Sequence, residues 1–94
     1  MSVLNKDFVE LIADGSTIFH NVPLSKSYLF YALGDFDSGV IHLESSIDNG
    51  ANYYNLAVLS DSGRVPVRLT SAEKIRVTLS GSNGAASVFS GVRE

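Results

Sequence analysis

The sequence predicts an all-β domain, a small antiparallel β-sandwich or jelly roll of about eight strands. Three observations predict it. Turn signals recur as Asp14-Gly15, Ser38-Gly39, Asn49-Gly50, Ser62-Gly63 and Asn83-Gly84, each placing a residue that tolerates positive φ beside apolar runs of strand length. Two of those runs alternate cleanly with a period of two, the signature of one buried and one wet face. No long helical period competes with them.

Strands are expected near residues 8–12, 17–22, 27–33, 39–46, 53–59, 64–69, 74–80 and 86–92. In the first, Leu4, Phe8, Leu11 and Ile12 also fit one helical face with Asn5 as its cap; a strand is the preferred reading. Tyr28-Leu29-Phe30-Tyr31-Ala32-Leu33 is apolar throughout, which suits a central strand buried on both sides or one whose outer face meets another subunit. Val65, Val67 and Leu69 oppose Arg64, Pro66 and Arg68, and Ile75, Val77 and Leu79 oppose Lys74, Arg76 and Thr78. Pro66 lacks an amide donor, so its strand belongs at a sheet edge.

At 94 residues the chain is expected to form one domain, residues 1–94, because half of it would be too short to bury a core. Hydrophobic residues make up 45% and charged residues 18%, the balance of a chain that folds. Cysteine is absent, which excludes disulfide staples and thiolate metal sites. No apolar run reaches the roughly 18 residues of a membrane span, and the start lacks the pattern of a secretory leader. A soluble, cytoplasmically made chain without membrane contact is expected. The net charge of −3 is unevenly placed: residues 1–61 carry two lysines against eight acids, and the remainder carries five cations against two acids.

Ser46-Ile47-Asp48-Asn49-Gly50-Ala51-Asn52-Tyr53 matches the Asp-box pattern of sialidases and other propellers, in which Ser and Asp bond turn amides, Gly takes positive φ and the aromatic packs beneath. The box occurs once in a chain too short for four propeller blades, so Ser46, Asp48, Gly50 and Tyr53 are read as a structural turn and a sialidase is excluded. Asp35 and Asp37 have the spacing of calcium ligands, but Gly39 stands where a third ligand is needed and no bidentate Glu follows; the expected state is a solvated acidic turn. His20 and His42 fall on different strands, with neither a nucleophile motif nor further ligands. No catalytic residue, metal or cofactor is assigned.

Arg64, Arg68, Lys74 and Arg76 would form a basic stripe if residues 63–79 made a hairpin. An acidic protein with pI near 5.2 and no outward aromatics among those cations makes nucleic acid a poor partner. Charge-complementary contact with the acidic part of a neighbouring copy is the simpler use. Arg64, Arg68, Lys74 and Arg76, with Tyr28 and Phe30 on the apolar run, are therefore the candidate interface residues. The expected assembly is a homo-oligomer, a trimer being favoured because a ring needs two complementary surfaces.

Residues 33–50, Leu33-Gly34-Asp35-Phe36-Asp37-Ser38-Gly39-Val40-Ile41-His42-Leu43-Glu44-Ser45-Ser46-Ile47-Asp48-Asn49-Gly50, place a glycine-led aromatic turn and a strand before an Asp-Gly hairpin ending in an aromatic. Residues 74–88, Lys74-Ile75-Arg76-Val77-Thr78-Leu79-Ser80-Gly81-Ser82-Asn83-Gly84-Ala85-Ala86-Ser87-Val88, add the pattern of a closing hairpin, a strand with a basic residue, a Ser-Gly-x-x-Gly turn and a small-residue strand. Together these stretches resemble small β-sandwich virion proteins of tailed bacteriophages; where those carry Trp in the hairpin, this chain has Tyr53 or Tyr54. The resemblance implies a capsid cement or decoration protein, or a head or tail accessory subunit, located in the virion and bound to capsid or tail subunits. It carries over no catalytic residue. The alternative is a carbohydrate- or receptor-binding β-sandwich that stacks sugars on Tyr28, Tyr31, Tyr53 or Tyr54.

Overall fold

The computed structural model describes residues 9–22, 25–71 and 73–93. Where the sequence alternates, it builds eight strands: β1 (Val9–Leu11), β2 (Gly15–Asn21), β3 (Lys26–Asp35), β4 (Val40–Ser46), β5 (Tyr54–Leu59), β6 (Gly63–Leu69), β7 (Lys74–Ser80) and β8 (Ser87–Arg93). The expected strands differ from these by no more than about two residues at either end. At the N-terminal end Val9–Leu11 is a strand, whereas Leu4 and Phe8 lie outside the described residues.

All pairing is antiparallel and nested: β1 joins β8, β2 joins β7, β3 joins β6 and β4 joins β5. Two further ladders, β3 with β8 and β4 with β7, complete a first sheet of order β1-β8-β3-β6 and a second of order β2-β7-β4-β5. A long antiparallel ribbon wrapped on itself in this order is the jelly roll, in which two sheets enclose one core.

The parity of each strand decides what that core contains. Tyr28, Phe30 and Ala32 point inward from β3, Ile41 and Leu43 from β4, Ile75, Val77 and Leu79 from β7, and Val88 and Val92 from β8. Leu69 closes the core from β6, and Val22, Phe36 and Ala86 fill it from the loops. Polar groups drawn inside are bonded: Ser90, fully buried, donates to the Tyr31 carbonyl at 2.8 Å. Pro66 sits on β6, an edge strand, as its missing amide requires.

One expectation is corrected. Residues 63–79 do not form a hairpin, because β6 belongs to the first sheet and β7 to the second. The connection turns on Glu73, whose amide donates to the Thr70 carbonyl and whose carbonyl accepts from the Val22 amide at 2.8 Å. The Glu73 carboxylate is buried there, taking hydrogen bonds from the Ser45 and Thr70 hydroxyls and from the Thr70 amide at 2.7 Å. Burial raises its pKa, and those bonds, with one from Tyr54, outweigh burial and leave it below the ordinary value.

Candidate functional site

The Asp-box turn assembles as its residue types require. Ser46 Oγ accepts from the Gly50 amide at 2.8 Å and donates to Asp48 Oδ1 at 2.6 Å. Asp48 in turn accepts from the Asn52 amide at 2.9 Å and the Asn52 side chain at 2.8 Å. The Ser46 bond, followed by those from Asn52, holds the Asp48 carboxyl down to about 2. Gly50 has φ 93°, a conformation that suits glycine, and the space beside it is bounded by Lys74 and the Tyr53 hydroxyl. Tyr53 is half-buried under the Arg76 guanidinium, 3.9 Å above its ring, and its hydroxyl is buried without a hydrogen-bond partner. All four residues hold the β4–β5 connection in shape.

The other acids of the first two-thirds serve the same kind of task. Asp14 accepts from the amides of Gly81 and Ser82 and from the Ser82 hydroxyl, and that hydroxyl is the chief reason its pKa is lowered. Asp37 accepts from the amides of Asn83 and Ala85, both at 2.8 Å, while Asp35 accepts from the Asp37 amide. Asp37 thus ties the β3–β4 and β7–β8 loops together, and Asp35 braces the first of them. Among the described residues no three His, Cys, Asp or Glu side chains converge as metal ligands would. His42 contacts Asn55 Oδ1 and Ser80 Oγ at 3.4 and 3.3 Å on the outer face of the second sheet. His20 lies on β2, its side chain outside what is described.

The four candidate cations are divided by the crossover. Arg64 and Arg68 lie exposed on the outer face of the first sheet, and Lys74 and Arg76 lie half-buried on the second. Arg76 Nε donates to Glu44 Oε1 at 2.7 Å, and Thr78 donates to the same oxygen at 2.8 Å. Burial raises the Glu44 pKa, but these two hydrogen bonds and the charge of Arg76 bring it below its ordinary value. Tyr28 and Phe30 are corrected as interface candidates: at 2% and 0% exposure they belong to the core.

What β3 offers outward is its other parity, Leu29, Tyr31 and Leu33. Register places Leu33 beside Phe89, Tyr31 between Gly91 and Arg64, and Leu29 between Arg93 and Pro66. Leu33 is 56% and Phe89 40% exposed. Leu29, Tyr31, Leu33, Gly63, Arg64 and Arg93 line a shallow depression of about 640 Å³. The face is an apolar belt flanked by Arg64, Arg68 and Arg93, none of which makes an ion pair with another described residue. The signal for it was the apolar run itself, which left open which parity faces out.

The fold and this face define the class: a jelly-roll β-sandwich presenting an arginine-flanked apolar sheet surface. Comparison with protein-family models gave no match, and comparison with curated proteins gave none either.

Proposed function

We propose that the protein is a bacteriophage virion subunit, a capsid cement or decoration protein or a head or tail accessory protein, that works by protein–protein binding and self-association. The observation that carries this reading is the outer face of the first sheet, where Leu29, Tyr31, Leu33 and Phe89 form an apolar belt edged by arginines. Large apolar side chains left on a sheet surface mark a contact site, and arginine with aromatic residues is the composition that binding surfaces favour.

Three further points support it. Jelly rolls serve as capsid domains, although the fold leaves function to the site it carries. The stretches that resemble phage virion proteins run from the end of β3 through β4 into the β4–β5 connection and from β7 to the start of β8, although β7 and β8 lie in opposite sheets and do not make the closing hairpin expected. The acids with lowered pKa values, Asp14, Glu44, Asp48 and Glu73, are engaged in turns and strand contacts, which favours a structural role over catalysis.

Mass spectrometry of gradient-purified particles tests the proposal. Peptides of this chain in many copies per particle are the expected result, and their absence from clean particles overturns it. The second reading, a carbohydrate- or receptor-binding module, is favoured by one observation: Tyr31 lies in the depression with Arg64 and Arg93. A glycan bound by the wild-type chain and released by Tyr31→Ala would decide for that reading.

A further inference from the structure

We infer that Asn83-Gly84, in the connection between β7 and β8, is a site of spontaneous deamidation whose product loosens the loops that Asp37 ties together. The chain supplies both reacting groups, and water is the co-reactant.

An asparagine followed by glycine can close on itself to a succinimide, because glycine sets no side chain in the way of its own amide nitrogen. Solvent hydroxide takes the Gly84 amide proton, and the electron pair of that nitrogen forms a bond to Asn83 Cγ. The Cγ–Nδ2 bond breaks, and the amino group leaves as ammonia after taking a proton from water. Water then adds to either carbonyl of the succinimide. Opening on one side gives aspartate; opening on the other gives isoaspartate, in which the main chain runs through the former side chain.

The sequence holds two such dipeptides, Asn49-Gly50 and Asn83-Gly84, each with an exposed asparagine and a glycine at φ 93°. Residue type, exposure of the asparagine and the glycine φ are matched, so hydrogen bonding is what separates them. The Gly50 amide donates at 2.8 Å to Ser46 Oγ, and Ser46 is fully buried. That nitrogen cannot attack until the bond breaks, in a turn that Asp48 and Asn52 also brace. The Gly84 amide makes no hydrogen bond among the described residues. Its neighbours do: the Asn83 and Ala85 amides both donate to Asp37 Oδ2 at 2.8 Å. The glycine between them is exposed, with open space where a Cβ would stand. The leaving group is weakly held, Asn83 Nδ2 donating to the Asp37 carbonyl at 3.5 Å.

The product acts on Asp37. A carboxylate at position 83 adds a negative charge near one already engaged, and it replaces a donor to the Asp37 carbonyl with an acceptor. Isoaspartate also lengthens the main chain between the two amides that converge on Asp37 Oδ2. Both changes oppose the tie between the β3–β4 and β7–β8 loops, which therefore weakens as the chain ages.

Peptide mapping by mass spectrometry is the test, on the full chain aged in mildly alkaline buffer made with heavy-oxygen water. Trypsin separates the sites, leaving Asn83 in residues 77–93 and Asn49 in residues 27–64, and fragmentation locates the change. Asn83 should convert to aspartate and isoaspartate, each carrying heavy oxygen, about ten-fold faster than Asn49, the factor that one hydrogen bond broken before reaction is worth. In urea the two rates should converge, because both glycine amides are then free. Ser46→Ala should raise the Asn49 rate toward that of Asn83 in the folded chain. Absence of conversion at Asn83 overturns the inference; equal rates in the folded chain, or a ratio that urea leaves unchanged, overturn the part given to the hydrogen bonds. Converted wild type should unfold at a lower temperature than fresh protein, while Asn83→Gln, which closes a ring far more slowly, should keep its midpoint on ageing. An unchanged midpoint in fully converted wild type overturns the effect on the Asp37 tie.

Discussion

Asp14 and Ser82 are joined twice: the carboxylate accepts from the Ser82 amide at 3.0 Å and from its hydroxyl at 2.6 Å, tying the start of β2 to the end of β7. The contact belongs to a pattern in which carboxylates take the place of longer turns, and each of them needs its negative charge.

Acid should therefore loosen the fold. Asp14, Glu44, Asp48 and Glu73 all have lowered values, Asp48 falling from 3.8 to about 2. A carboxyl depressed in the folded state stabilises above its unfolded value and loses that contribution as pH falls through the folded one. The melting temperature should be flat from pH 7 to about 5 and decline between about pH 4.5 and 2. Asp14→Asn should lessen the decline. Scanning calorimetry across that range checks this, and an unchanged midpoint down to pH 2 would refute it.

Gly34 should be the least replaceable glycine. It has φ 133°, and a Cβ there would lie 2.2 Å from the Ser87 carbonyl oxygen, against backbone that cannot move without opening the β3–β8 ladder. Gly34→Ala is expected to cost about 2–4 kcal/mol in urea denaturation. Gly50→Val, strained by its φ but with nothing nearer than 3.4 Å to the added Cβ, should cost about 1–3 kcal/mol.

Glu73→Ala should destabilise by about 1–3 kcal/mol, because it leaves the buried Ser45 hydroxyl and the Thr70 amide without an acceptor. Glu73→Gln keeps one acceptor oxygen and should cost less. Equal losses in chemical denaturation would show that the hydrogen bonds are not the cause.

Arg68 and Arg76 should respond differently to reversal. Arg76→Glu breaks the Glu44 pair and the stacking on Tyr53, so a loss of about 1–2 kcal/mol in stability is expected with assembly unaffected. Arg68→Glu, exposed on the outer face of the first sheet, should weaken assembly and leave the melting temperature of the monomer unchanged. The opposite division of effects would place the interface on the second sheet.

The strands were legible because glycine turns punctuate runs with period two, so Ile75, Val77 and Leu79 announced their shared burial. Two features were not legible. Between Leu33 and Tyr28 both parities are apolar, and only the pairing of β3 with β6 and β8 shows that Tyr28 and Phe30 go in while Leu29 and Tyr31 go out. Nor does the short link from Leu69 to Lys74 say whether the chain returns beside β6 or crosses to the other sheet. That choice rests on Glu73, whose partners Ser45 and Thr70 include one remote in sequence.

The nested ladders also set an order of events. The β4–β5 connection closes over a few residues, whereas Val9 must find Ser90 across almost the whole chain, and pairings this distant in sequence are paid for in loop entropy before they return any contact. Folding is expected to begin at the centre of the chain and zip outward, slowly, with both ends docking last. On a ribosome β3 emerges before β8, and its place beside that strand stays vacant until β8 has been made. Until then the edge of β3 and the apolar interior behind it stand open, and the domain cannot close before β8 has been made.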